Sequence, residues 1–246
     1  MSLARSAATL HVLPAASARA GIDAFSLDVH SAARIIDHTL LRADATRKDL
    51  EQLCDEARQF GFWSVCVNPA YVPLAVTRLR GSGVRVTTVI GFPLGATLTT
   101  VKRFEASEVL RQGAAELDMV LNLGALKSGD NDIVRADIRG VAELCHAAGG
   151  LLKVILETAL LTQSEKTLAC ELALAAGADF VKTSTSYADG GATTADVLLL
   201  RRVVGDRMGV KAAGAIRTLE QFRALVAAGA NRIGTSSGPA ILREFT

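Results

Sequence analysis

Three lysines stand inside apolar segments: Lys153 in Leu152-Lys153-Val154-Ile155, Lys182 in Phe180-Val181-Lys182-Thr183, and Lys211 in Gly209-Val210-Lys211-Ala212. A lysine is almost never buried without a partner, because desolvating an ammonium is costly. One such lysine would read as a side chain snorkelling from a strand end. Here 29 residues separate Lys153 from Lys182, and 29 again separate Lys182 from Lys211. That repeat predicts neighbouring strands carrying lysines at similar heights. The chemistry open to such amines is attack on a carbonyl, which needs an amine that is neutral often enough. Burial lowers a lysine pKa, and a second ammonium nearby lowers it further. Adjacent strands bearing Lys182 and Lys211 would supply both conditions. Spacing alone does not say which of the two attacks.

Asp118 lies in the apolar run Glu116-Leu117-Asp118-Met119-Val120. A buried aspartate there is either a counter-ion for a lysine or a proton carrier, and one residue can serve as both. Asp37 is a second in-strand carboxylate, suited to orienting substrate hydroxyls. Metal chemistry is not expected, because His11, His30, His38 and His146 show no ligand spacing and only His38 falls in a strand segment. Two Gly-rich stretches, Ala213-Gly214-Ala215-Ile216-Arg217 and Gly234-Thr235-Ser236-Ser237-Gly238-Pro239, suit phosphate, since backbone N–H groups can approach closely there. Pro239 fits the first turn of a helix. Cys66 ends a strand segment facing the same region, although a buried, inert thiol is the plainer reading.

The elements that must position these groups alternate along the chain. Strand segments are expected at Ile35–Leu41, Trp63–Val67, Arg85–Gly91, Glu116–Asn122, Leu151–Thr158, Asp179–Ser184, Met208–Ala213 and Arg232–Thr235. Most are apolar runs, as in parallel strands covered on both sides. Between them, Leu50, Leu53, Cys54, Ala57 and Phe60 follow helical spacing before Gly61, and Thr162–Glu165 and Thr218–Gln221 spell capping boxes. Three helix-to-strand junctions share the pair Gly-Ala, at Gly113, Gly177 and Gly229, which suggests one βα unit used repeatedly. Eight such units predict an α/β protein, a single-domain (β/α)8 TIM barrel over 31–246. An open doubly wound sheet is disfavoured, because Leu41-Arg42-Ala43-Asp44 after the first strand contains no glycine.

Composition narrows the class of function. Half of the 246 residues are apolar and the formal net charge is only +2, so disorder and a nucleic-acid footprint are both excluded. Aromatic residues make up 4%, too few for a base-stacking surface. No apolar run approaches the length of a membrane span. Four cysteines without a C-x-x-C pair point to a reducing compartment, so a cytoplasmic protein is expected. Residues 1–30, without an acidic residue before Asp23, read as a poorly ordered extension that carries no chemistry.

Taken in order, Ile36–Leu41, Cys66–Pro69, Glu116–Val120, Leu152–Ile155, Val181–Thr185, Val210–Gly214 and Gly234–Ser237 resemble deoxyribose-phosphate aldolase. The resemblance implies a class I aldolase without metal or cofactor. It would split 2-deoxyribose 5-phosphate into glyceraldehyde 3-phosphate and acetaldehyde. It makes Lys182 the Schiff-base lysine, Asp118 and Lys211 the proton-relay pair, and Lys153 the lysine beside them. Asp37, Thr39, Cys66 and Thr185 would meet the substrate. Ser186, Gly214, Ala215, Gly234, Ser236 and Ser237 would hold its phosphate. A homo-oligomer, a dimer first, is implied as well. The chain departs from the family pattern where glycines are usual, at Ser186 and Ala215, and it ends Arg243-Glu244-Phe245-Thr246 without the tyrosine found in some members. A related barrel aldolase for another phosphorylated sugar, or a non-enzymatic sugar-phosphate binder, are the alternative expectations.

Overall fold

The structure is a computed structural model describing residues 24 and 26–245. Most of the extension expected over 1–30, His11 included, lies outside the described residues. Eight strands follow one another as β1 (Ile36–Leu40), β2 (Ser64–Val67), β3 (Arg85–Ile90), β4 (Glu116–Val120), β5 (Leu151–Ile155), β6 (Phe180–Lys182), β7 (Gly209–Ala213) and β8 (Arg232–Thr235). All pair in parallel with their sequence neighbours, and β1 closes the barrel against β8. Each expected strand segment contains one of them. Helices lie between and around the strands: α1 (Val29–Ala33), α2 (Arg47–Phe60), α3 (Val72–Leu79), α4 (Thr99–Arg111), α5 (Leu123–Lys127), α6 (Asn131–Ala147), α7 (Gln163–Ala175), α8 (Thr194–Val204), α9 (Leu219–Ala227) and α10 (Gly238–Arg243). Among the described residues no helix is long and apolar enough to cross a membrane.

Local chemistry accounts for the helix ends. The capping boxes at Thr162/Glu165 and Thr218/Gln221 form, and Thr46/Asp49 makes a third in which a shorter carboxylate does the work of Glu. Gly61 closes α2 in the left-handed conformation, at φ 67°.

Side chains alternate along every strand, so one residue in two meets the helices. Ile36, Val65, Leu117, Leu152, Val154, Val181, Val210 and Ile233 are all buried in the core between strands and helices. Many of the intervening positions are polar: Asp37, Ser64, Thr87, Glu116, Asp118, Lys153, Lys182, Lys211 and Arg232, all buried. The apolar runs in the sequence therefore conceal a charged barrel interior. Lys182 and Lys211 are direct register partners. Lys153 pairs with Phe180, two residues before Lys182, so the expectation of three lysines at one height holds for only one pair.

Candidate active site

Asp118 is the hub. Its Oδ1 accepts from Lys153 Nζ at 2.8 Å, and its Oδ2 accepts from Lys182 Nζ at 2.8 Å and from Lys211 Nζ at 2.7 Å. Lys153 Nζ also lies 2.6 Å from Glu116, and Lys211 Nζ lies 2.5 Å from Asp37. Arg232 joins the two outer carboxylates, at 2.8 Å from Asp37 and 3.1 Å from Glu116. The chain of ion pairs closes on itself: Asp118, Lys153, Glu116, Arg232, Asp37, Lys211 and back to Asp118. Three carboxylates alternate with three cations in this ring, and Lys182 hangs from Asp118 as a fourth cation outside it.

Burial makes the alternation necessary. Desolvation pushes the Asp118 carboxyl up, yet the ammoniums of Lys153, Lys182 and Lys211 together hold it well below the usual carboxylate range. Glu116 behaves likewise, with burial opposed by Arg232 and Lys153. Desolvation also opposes charge on Lys211, but Asp118 and Asp37 keep it protonated beyond an ordinary lysine. Lys153 is raised in the same way by Asp118 and Glu116. The ring is thus neutral as a set; Lys182 is a cation surplus to it on the cavity side, and Arg85, 3.5 Å from Glu116, is another at the opposite end.

A cavity of about 620 Å³ opens at the carboxyl ends of the strands, built from the segments after β1, β6, β7 and β8. Lys182 is the member of the charged cluster that lines it. Asp118, Lys153, Lys211 and Asp37 lie behind Lys182, with no measurable exposure. Thr39, Thr185, Ser186, Gly214, Ala215, Gly234 and Ser236 line the cavity as well. Three predicted contacts do not reach its wall. Asp37 faces Ser64, Lys211 and Arg232 instead. Cys66 is buried with Leu41, Val89 and Phe92 in a small apolar cluster, and desolvation pushes its thiol up. Ser237 sits one residue past the lining, donating its backbone N–H to Thr235 Oγ1 as α10 begins.

Other groups at the site escape sequence reasoning. Glu157, in the left-handed region at φ 53°, accepts from the backbone N–H and the hydroxyl of Thr185. Tyr187 lines the cavity and donates its hydroxyl to the Leu41 carbonyl at 2.8 Å, tying the β6–α8 segment to the β1–α2 segment. Arg217 puts positive charge on the same wall, whereas the Arg42 guanidinium there is paired with Asp44 at 2.8 Å and Asp49 at 3.4 Å. His38 points away from the cavity to Glu56, and His146 bonds Asp179. Among the described residues no group of three His, Cys, Asp or Glu is placed to hold a metal ion.

Ser186 and Ala215, where the family pattern has glycine, keep a glycine-like backbone at φ 71° and φ 60°. A side chain in that region costs about 1–2 kcal/mol. Glycine returns roughly 0.4–1 kcal/mol of that through the freedom of the unfolded chain. Ala215→Gly should therefore raise Tm by roughly 1–3 °C in thermal unfolding, with KM for a phosphorylated sugar unchanged or lower. A fall in Tm would mean that the Ala215 methyl packs better than its backbone strains.

A closed parallel barrel with a cavity at the carboxyl ends of its strands is the architecture of a TIM-barrel enzyme. The comparisons make the assignment specific: the chain belongs to the DeoC/LacD family aldolases, whose pattern matches residues 31–245. It is similar to the deoxyribose-phosphate aldolase of Thermococcus gammatolerans, at 59% identity over 85% of this chain and 94% of that one. The deoxyribose-phosphate aldolase of Streptococcus pneumoniae serotype 19F is 57% identical, over 85% and 94%. Among solved structures, the tetrameric deoxyribose phosphate aldolase of Aeropyrum pernix superposes with a TM-score of 0.83 at 37% identity, covering 89% of this chain and 92% of that one. The chain is accordingly an aldolase, a carbon–carbon lyase.

Proposed function

We propose that the chain reversibly cleaves 2-deoxy-D-ribose 5-phosphate to D-glyceraldehyde 3-phosphate and acetaldehyde through a Schiff base on Lys182. The observation that carries this reading is that Lys182 is at once a cation outside the neutral ring and the cluster's member at the cavity wall. Shedding one proton leaves a neutral amine beside a neutral ring. That amine adds to the C1 aldehyde of the open-chain sugar, and loss of water gives an iminium. The C3 hydroxyl then gives up its proton as the C2–C3 bond breaks, and that electron pair moves into the iminium. C3 becomes the aldehyde of the departing three-carbon phosphate. The remaining enamine takes a proton at C2, and water releases acetaldehyde and the free lysine.

Asp118 and Lys211 carry the protons, since Lys211 shares Asp118 Oδ2 with the reacting amine. Lys153 holds the other oxygen of Asp118 and fixes its plane. Gly214, Ala215, Gly234, Ser236 and Ser186 form the phosphate end, with Ser237 one residue behind it, and Arg217 favours an anion there. Thr39 and Thr185 contact the sugar, with Asp37 and Cys66 supporting from behind. Residues 31–246 form the catalytic barrel, against which Ala24 packs ahead of α1, in a cytoplasmic homo-oligomer. A dimer is the form proposed, and sedimentation distinguishes it from the tetramer described for the Aeropyrum pernix protein.

The direct test supplies 2-deoxyribose 5-phosphate and measures both products. Acetaldehyde and glyceraldehyde 3-phosphate should appear in equal amounts, and borohydride with acetaldehyde should leave an ethyl group on the chain. Trapping without cleavage would point to another phosphorylated sugar. Binding without trapping would reduce the chain to a sugar-phosphate binder.

A further inference from the structure

Glu116 and Arg232 are the first residues of β4 and β8, at the end of the barrel away from the cavity. Neither lines the cavity, and neither bonds Lys182. Both are nonetheless buried and fixed. Trp63 Nε1 donates to Glu116 Oε1 at 2.7 Å, and the Arg232 guanidinium lies 4.5 Å from the Trp63 ring and 5.5 Å from the Phe180 ring. Arg85, with its side chain 31% exposed, reaches Glu116 at 3.5 Å from the solvent side. A buried ion pair held this firmly at no benefit to binding is weak evidence for stability, because desolvation consumes much of its attraction.

Resting on the Schiff-base assignment above, we infer that Glu116 and Arg232 are positioning residues for the reaction: they complete the ring that keeps Lys153 and Lys211 charged, and so leave Lys182 as the amine that reacts. Without Arg232 the ring would carry one negative charge too many, and the Lys182 ammonium would be needed to balance it. Without Glu116 the ring would carry one positive charge too many, and the cluster would release a proton more readily. The two residues therefore act in opposite directions on one equilibrium.

The charged groups of the cluster around Lys182 are Asp37 on β1, Arg85 on β3, Asp118 and Glu116 on β4, Lys153 on β5, Lys211 on β7 and Arg232 on β8, with Arg34 close to Arg85 and Arg232 at the far end. Cys66 on β2 is a buried thiol, and Arg42, Arg217 and Tyr187 face the cavity from its solvent side. None of this second group is altered by the substitutions below.

The test is the pH midpoint of borohydride trapping with acetaldehyde, read by intact mass on the full chain. Arg232→Gln should move the midpoint up by about one pH unit, and Glu116→Gln should move it down by a similar amount. The double variant, lacking one charge of each sign, should return to within about 0.3 of the wild-type midpoint, even though it has lost more contacts than either single one. Turnover should fall in both single variants, with KM changed much less than kcat. If Glu116→Gln does not fold, Asp37→Asn removes another carboxylate of the ring and should shift the midpoint downward in its place. Arg232→Lys keeps the charge and should keep the wild-type midpoint. Variants that lose thermal stability but show no shift, or shift in the same direction, would overturn the inference and leave the pair a structural clasp. Absence of trapping in the wild-type chain would instead sink the Schiff-base assignment itself.

Discussion

Lys182→Arg should abolish both cleavage and covalent trapping, a loss of roughly six orders of magnitude or more in kcat/KM, down to the uncatalysed background. Guanidinium stays protonated at any working pH and has no lone pair to offer a carbonyl. The substitution is informative because it keeps what else Lys182 contributes. Its positive charge on Asp118 Oδ2 is retained, so the balance of the cluster is unchanged. The extra volume of the guanidinium costs about 1–3 kcal/mol in a site only 2% exposed, so the variant should fold with a modestly lower Tm. Peptide mapping of the wild-type adduct completes the test. An ethyl group on Lys153 or Lys211 would overturn the choice made from charge and exposure. That choice was not open to sequence reasoning, which sees Lys182 and Lys211 in equivalent apolar strands.

The strands were legible because their outward positions, such as Leu117 and Met119 or Val210 and Ala212, supply β-rich apolar runs between amphipathic segments. The lysines were legible because each interrupts such a run. The ring was not. Its members come from β1, β4, β5, β7 and β8, and although Asp118 and Lys153 meet across neighbouring strands, the ring as a whole exists only after the barrel closes β8 onto β1. Glu116 and Arg232 gave a misleading local signal, since a charged first residue of a strand ordinarily faces solvent. Glu157 and Tyr187 were invisible for another reason. Their partners, Thr185 for Glu157 and Leu41 for Tyr187, are set by loop geometry and not by periodicity. Ser186 and Ala215 stood out as departures from glycine, but only coordinates show that the backbone there kept the glycine conformation.

Asp118→Asn tests whether the hub acts in chemistry beyond holding the lysines in place. The variant removes the one negative charge shared by three ammoniums, leaving Lys153 with Glu116, Lys211 with Asp37, and Lys182 with no carboxylate. Breaking a buried ion pair from one side costs about 3–5 kcal/mol, so Tm should fall by several degrees at pH 7. The pH dependence of that difference follows from linkage. The folded-state pKa of Asp118 is depressed, so its contribution is present above the unfolded value near 4 and is lost as pH falls through the folded one. The gap in Tm between wild type and variant should accordingly stay constant from neutrality to about pH 5 and narrow below about pH 4. Cleavage should fall by roughly two to four orders of magnitude, because an amide neither accepts nor passes a proton. Trapping of acetaldehyde at Lys182 should survive better than cleavage, since it needs the amine but not the proton relay. Near-full cleavage in the variant would confine Asp118 to electrostatic support. Equal loss of trapping and cleavage would mean that Asp118 is needed to aim the Lys182 amine as well as to move protons.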